Sequence, residues 1–303
     1  MNTVTLRAYA KINLSLDVTG KREDGYHLLE SVFQGISLYD GVRVHKERGA
    51  GGIKIRCNLP YIPTDERNIA HKVATAFFKA AEIEEYQITI DLKKVTPSGA
   101  GFGGGSADGA AVFSALCRLY HQSFSKEEAT AILTPLGADI PFFLYSGTMM
   151  ARGIGEILTP EPRLPDCFIV LAKPKTNVST KLIFQKLKEE GIQNRPDTKK
   201  VLEALQEGDL YKLAEATANV LEGATIPYCP KVQELKDILK ENGAILSMMS
   251  GSGSGVFGIF DREDQAKGAA KALRSATRFV YIARPICRPM HTCNSRKKPS
   301  FEK

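Results

Sequence analysis

Apolar and polar side chains alternate over residues 4–10 and 12–18, the period of two expected of strands with one face buried. The same alternation over 31–38 and 41–44 predicts two more strands, with Tyr39-Asp40-Gly41 as the turn between them. Residues 53–57 and 87–92 read as strands as well. The period then changes. Ile69, Val73, Ala76, Phe77 and Ala80 recur at helical spacing and predict a helix over 68–81, with Asn68 suited to its start. Ala110, Phe113, Leu116, Cys117 and Tyr120 do the same for 107–120, and a short helix follows over 127–133. Three prolines in 159–165 separate two apolar regions and mark a domain boundary. Beyond it the pattern predicts strands at 168–172, 244–248, 255–260 and 278–282. Helices are expected at 179–190, 202–207, 214–221, 230–242 and 265–274. That order implies an α+β class whose second half is an open antiparallel sheet with helices on one face. The expected division is one domain over 1–160, a second over 161–287 and a basic tail over 288–303.

Charge changes the picture only locally. The 303 residues carry 41 Lys+Arg against 34 Asp+Glu, a net charge of +7. Arg288, Arg296, Lys297, Lys298 and Lys303 face only Glu302 in the last sixteen residues, so four of those seven charges sit in a Pro-containing, aperiodic tail that reads as mobile. The remaining +3 over 287 residues is poor support for a nucleic-acid surface. The six cysteines show no Cys-x-x-Cys spacing and no clustering with histidine, which fits a reducing compartment better than a disulfide scaffold or a zinc site. No secretory leader is visible at the start, and no apolar run reaches the ~18–20 residues of a membrane helix. The expectation is a cytoplasmic protein without membrane or nucleic-acid partners.

The densest chemical signal is the stretch from Pro97 to Ala111, with five glycines between 99 and 105, after a strand and before a helix. Glycines let backbone N–H groups converge on a concavity, and the following helix adds its positive N-terminal end, so the segment suits phosphate. The other reading is a flexible glycine loop. The Gly-Lys-Ser/Thr of a Walker loop is absent, and so is the HRD/DFG set of protein kinases. Gly137-Ala-Asp139-Ile-Pro141 sets a carboxylate against apolar neighbours; it serves either to cap a helix turn or as a general base. Lys11 and Asn13 share one side of an otherwise apolar strand, either a site wall or a solvated face. Asp24-Gly-Tyr26-His27 is a turn that would either stack on a planar ligand or pack internally. The run from Ser250 to Gly255 alternates Ser and Gly between two apolar runs and reads as a second glycine loop or as a linker.

Taken in order, Lys11, the Pro-x-Gly-Ala-Gly-x-Gly-Gly-Gly-Ser-x-Asp loop and the Ser-Gly repeat resemble the GHMP small-molecule kinases. AKINLSLDVTGKREDGYHLLESVFQ, GADIPFFLYSGTMMARGIGE and NVSTKLIF narrow the likeness to the branch acting on diphosphocytidyl-methylerythritol, over residues from about 5 to 260. The resemblance implies a two-domain α+β fold. Its N-terminal half would be ribosomal-protein-S5-domain-2-like and its C-terminal half ferredoxin-like. It implies transfer of the ATP γ-phosphoryl group to the substrate's 2-hydroxyl, in the non-mevalonate route to isoprenoid precursors. Asp139 then matches the general base and Lys11 its charged partner, with Asn13 orienting substrate. Tyr26 and Phe184 match an aromatic pair around cytosine, His27 reads its edge, and Thr180 is a substrate contact. Asn68, Lys94, Pro97, Gly99, Gly101, Gly103, Gly104, Gly105 and Ser106 fall where the family holds ATP, with Mg2+ accompanying it and Ser106 as a candidate metal ligand. The expected assembly is a monomer or weak homodimer. Three departures stand out: Phe102 for the loop's usual Leu, Thr96 before Pro97 for Ile, and Val220 for Asp in an Asn-Asp-Leu-Glu pattern.

Overall fold

The computed structural model describes residues 2–287 apart from 191 and 193; the basic tail over 288–303 lies outside the described residues. Its first half is built on two long strands, β1 (Thr3–Lys21) and β2 (His27–Lys46), paired antiparallel. β3 (Gly52–Cys57), α1 (Ile69–Ala80), β4 (Gln87–Lys93), α2 (Gly104–Leu119), α3 (Lys126–Leu133) and α4 (Ile140–Tyr145) follow, then β5 (Thr148–Arg152) and β6 (Ile157–Pro160). These strands form one sheet in the order β3-β4-β2-β5-β6, with β1 on β2. β3 and β4 run parallel; the other pairs are antiparallel.

The second half holds β7 (Phe168–Lys173), α5 (Thr180–Glu190), α6 (Thr198–Glu207), α7 (Leu210–Ala216), α8 (Glu222–Thr225) and α9 (Lys231–Glu241). β8 (Leu246–Met249), β9 (Val256–Phe260), α10 (Glu263–Ala276) and β10 (Phe279–Ala283) complete a four-stranded antiparallel sheet, β10-β7-β9-β8. Among the described residues no helix is long and apolar enough to cross a membrane.

Several expectations change. The two strands expected at 4–10 and 12–18 are one, interrupted by a register shift between Tyr9 and Lys11 that moves the buried set to a new neighbour. Val4 and Ala8 pack with α1 and α2, whereas Ala10, Ile12 and Leu14 pack with the second sheet. The turn at Tyr39-Asp40-Gly41 does not form. Those residues stay in β2, opposite Tyr9, Ala8 and Arg7, because long pairing with β1 outweighs a local Asp-Gly preference. The helix expected at 107–120 starts at Gly104, so Gly104, Gly105 and Ser106 form its first turn. The helix expected over 214–221 ends at Ala216, where the chain leaves to bridge Leu16 through Asn219. Helices cover more than one face of the second sheet. Val170 and Ala172 pack on α9 and α10, and Ile169 and Leu171 pack toward α6, α7 and β1. The reason is the period of two: β7 is apolar on both faces and requires cover on both.

Candidate active site

The register shift in β1 places Lys11 under the glycine loop. Its backbone N–H donates to Phe102 O at 3.0 Å, and a Cβ on Gly103 would stand 3.2 Å from Lys11 Cγ and 2.3 Å from Phe143 Cζ. Gly103 has φ +70°, a left-handed conformation that glycine adopts without strain, and it leads directly into α2. The loop therefore sits on Lys11, with the unpaired N–H groups of the helix start at its edge.

Lys11 is 5% exposed. Its Nζ donates to Asn13 Oδ1 at 2.6 Å and lies 4.9 Å from the Phe33 ring centroid. Burial draws its ammonium down to about 8, and the charge of Asp139 works against that fall. Asp139 stands at the N-cap of α4, yet its side chain makes no capping hydrogen bond. The carboxylate is thus not occupied by the structural task that spacing allowed it, and Lys11 is within reach of its field. Asn13 is a junction: its Nδ2 donates to Ser31 Oγ at 2.8 Å, and its N–H donates to Ser250 Oγ at 3.3 Å.

The Ser-Gly run is a second loop laid against the first. Ser250 Oγ donates to Gly101 O at 2.9 Å, and the N–H groups of Ser254 and Gly255 donate to Gly99 O and Ala100 O at 3.1 Å each. Asn219 Nδ2 supports it from behind by donating to Met249 O (2.9 Å) and Gly251 O (2.8 Å), and Glu222 Oε1 accepts from Met249 N–H at 2.7 Å. Val220, the departure between them, is buried in the core and contributes packing. Phe102 is also wholly buried and lies 6.4 Å from Phe279, so its larger ring faces the core rather than the loop's concave side.

Two cavities flank this junction. One of about 480 Å³ is lined by Ile62, Pro63, Arg67, Asn68 and Ile69, by Lys94 and Thr96, and by the loop from Pro97 through Ser106 to Asp108. The other, of about 1020 Å³, is lined by Lys21, Asp24, Tyr26, His27, Ala138, Ile154, Phe184 and Lys186, among others. Thr180 lines both, its Oγ1 2.8 Å from Ser252 Oγ. The His27 ring is stacked on Phe184 at 4.9 Å and 24°, while Tyr26 is 60% exposed at the rim. The aromatic set expected at 26, 27 and 184 is therefore together, with histidine rather than tyrosine lying on Phe184.

Asn68 and Lys94 line the smaller cavity with their polar ends already engaged. Asn68 caps α1, accepting from Ala70 N–H at 2.9 Å and donating to Pro63 O at 2.6 Å. Lys94 Nζ lies 2.5 Å from both Asp40 and Asp108 in a buried triad. Burial pulls the Lys94 ammonium down, but the two carboxylates outweigh it and hold it above its ordinary value. Asp108 is pushed up to about 7, chiefly by burial, against the pull of Lys94 and with the repulsion of Asp40. Asp40 also accepts from the N–H groups of Val95 and Thr96, tying β2 to the strap that enters the loop. Sequence reading missed both aspartates. Asp40 was masked by its Asp-Gly turn signal. Asp108 stood in view as an acid inside an Ala/Gly-rich helix start.

Comparison with known proteins places the chain. The family models "GHMP kinases N terminal domain" and "GHMP kinases C terminal" match residues 68–147 and 201–278. The chain is 41% identical to a 4-diphosphocytidyl-2-C-methyl-D-erythritol kinase of Acetivibrio thermocellus over 286 residues, covering 94% of this chain and all of that one. A crystal structure of 4-(cytidine 5'-diphospho)-2C-methyl-D-erythritol kinase superposes with TM-score 0.78 at 34% identity, covering 93% of this chain and 99% of that one. A homoserine kinase from Cytophaga hutchinsonii superposes with TM-score 0.74 at 16% identity over 96% of each chain, a likeness of fold.

Proposed function

The chain belongs to the GHMP kinases, in the branch of the 4-diphosphocytidyl-2-C-methyl-D-erythritol kinases, and from that membership we propose how its own residues divide the work. It is an ATP-using kinase that phosphorylates 4-diphosphocytidyl-2-C-methyl-D-erythritol on the non-mevalonate route to isoprenoid precursors. We assign the acceptor as the 2-hydroxyl. The observation that carries the assignment of roles is the junction itself. An aromatic cavity and a glycine-loop cavity share Thr180, and a buried ammonium lies directly beneath the loop.

In this reading the smaller cavity takes ATP. Pro97, Gly99, Gly101, Gly103, Gly104, Gly105 and Ser106 cradle its phosphates through backbone N–H groups and the start of α2. Asn68 and Lys94 shape the wall rather than reach out, since both are held by protein partners. The larger cavity takes the cytidine end of the acceptor, with Tyr26 closing from the rim onto a base placed against His27 and Phe184. Thr180 and Asn13 hold the acceptor between the sites. Asp139 takes the hydroxyl proton as the oxygen attacks the γ-phosphorus, whose bond to the β,γ-bridging oxygen breaks so that ADP leaves with that oxygen. Lys11 stabilises the negative charge that develops on the transferring group.

Mg2+ suits the oxygens available on this wall. Ser106 lines the cavity, and Asp108 Oδ1 and Thr96 Oγ1 are buried without a hydrogen-bond partner among the described residues. When bound with ATP the ion would neutralise phosphate charge, with Ser106 as its protein ligand. We further infer a cytoplasmic protein, a monomer or weak homodimer; Cys57, Cys167, Cys229 and Cys287 are thiols outside any disulfide, as a reducing compartment keeps them.

A coupled ADP-release assay tests this. The diphosphocytidyl substrate should stimulate turnover, and homoserine and mevalonate should not. Asp139→Asn should lower kcat by two or more orders of magnitude, within the range for a general base, with ADP affinity held within about twofold. An Asp139→Asn enzyme of near-normal kcat would remove the base assignment.

A further inference from the structure

Lys173 ends β7 at only 7% exposure, and nothing in the proposed mechanism uses it. Its Nζ donates to Pro174 O at 2.9 Å, to Asn177 Oδ1 at 2.8 Å and to Thr176 O at 3.4 Å. Three donors meet three acceptors, so the geometry is that of an ammonium. All three acceptors are neutral, and among the described residues no carboxylate lies within ion-pair distance of it. The contrast within the same molecule is Lys94, which is equally buried and carries two aspartates. A buried cation satisfied by hydrogen bonds but not by charge disfavours the empty folded state. Burial correspondingly holds the Lys173 amine below its ordinary value.

The segment that Lys173 ties down touches both glycine loops. Asn177 Oδ1 stands 3.0 Å from the position a Cβ on Gly99 would occupy. Thr176 O accepts from Ser254 Oγ at 2.5 Å. Three residues on, Thr180 meets Ser252. The uncompensated charge thus lies behind the place where the two loops pair.

We propose that Lys173 is a positioning residue that supplies unneutralised positive charge to the polyphosphate held by the two glycine loops. The inference rests on reading those loops as the anion site. Its counter-charge arrives with the ligand, and its bonds to Thr176 and Asn177 set the loop spacing that receives it.

The test compares wild type, Lys173→Gln and Lys173→Arg by calorimetric titration with inorganic tripolyphosphate and with ADP, at low salt and at 0.5 M salt. Lys173→Gln keeps amide donors but removes the charge. It should melt within a few degrees of wild type and bind tripolyphosphate and ADP at least fivefold more weakly at low salt, and it should keep most of that deficit at high salt, because a buried charge is little screened. Lys173→Arg should stay within about threefold of wild type. A Lys173→Gln protein that binds tripolyphosphate within threefold of wild type overturns the inference, as does an equal loss in Lys173→Arg, which would assign the effect to hydrogen-bond geometry alone. Should Lys173→Gln fail to fold, Lys173→Met is read by the same thresholds. If wild type itself does not bind tripolyphosphate, the reading of the loops as the anion site fails, and this inference with it.

Discussion

Lys11 carries its charge where the surroundings resist it, and two opposite pH dependences result. Burial lowers its amine to about 8, with Asp139 acting the other way. An unfolded chain keeps that amine protonated to about 10.4. Between roughly pH 8 and 10.4 the unfolded state therefore binds more protons, so this group's contribution makes stability rise with pH across that window. On the proposed role of the ammonium beneath Gly103, activity should move oppositely. We expect kcat/KM, which reports the free enzyme, to fall as pH rises through about 8. Lys11→Arg, whose guanidinium does not titrate in that range, should be slower overall but flat between pH 7 and 10. A steady-state pH profile of both enzymes decides it: a wild-type kcat/KM that stays level to pH 10 would separate Lys11's charge from catalysis. The buried triad differs because two carboxylates meet its lysine, and there the anomalous proton affinity falls on Asp108 instead.

At the scale of elements, the two glycine loops behave as one structure, and the glycines in them are not equivalent. A Cβ on Gly101 would fall 1.9 Å from Ser250 O, a backbone atom that cannot rotate away, and Gly101 has φ +73°. A Cβ on Gly105 would meet only Ile69 Cδ1 at 3.5 Å, inside a helix. Gly101→Ala should therefore lose about 2–5 kcal/mol by urea unfolding, from left-handed strain and overpacking together, and should weaken ATP binding by prying the loops apart. Gly105→Ala should fold with stability within about 1 kcal/mol of wild type. Equal tolerance of both substitutions would mean that the loops are not in backbone contact. This contrast also marks the limit of sequence reading. The loop at 97–106 was legible because a glycine cluster between a strand and a helix has a local physical meaning. Its partner at 250–255 was legible as a second glycine loop or a linker, but not its pairing with the first, since their contact spans about 150 residues and leaves no period behind. Asp40 was misread for a related reason: Asp-Gly favours a turn locally, and only pairing with β1 keeps it in a strand, where it can reach Lys94. For Asp139 the sequence leaves cap and base open, and the structure shows that its side chain makes no cap bond.

For the molecule as a whole, the boundary at the proline-rich stretch is a boundary of sheets but not of cores. Ile12, Leu14, Val32, Ile36 and Leu38 from the first sheet share one buried cluster with Ile169, Leu171, Phe257 and Ile259 from the second. Leu16 and Val18, further along the same strand, reach into the cluster around α9 and α10. β1 thus contributes in turn to all three cores, and the site lies where it passes from one to the next. A lysine on such a strand is held by both sheets, so the geometry at Lys11, and with it the role proposed for it, should depend on cooperation between them. Leu14→Ala removes a wholly buried side chain from the shared cluster and should cost about 2–5 kcal/mol. Because the cluster is shared, the loss should appear in both halves: native-state hydrogen exchange should show amides of β5 and of β9 losing protection by the same free energy. A loss confined to β1, β2 and β5, with β9 unchanged, would mean that the second sheet folds independently and that the shared cluster is a docking surface between separate units.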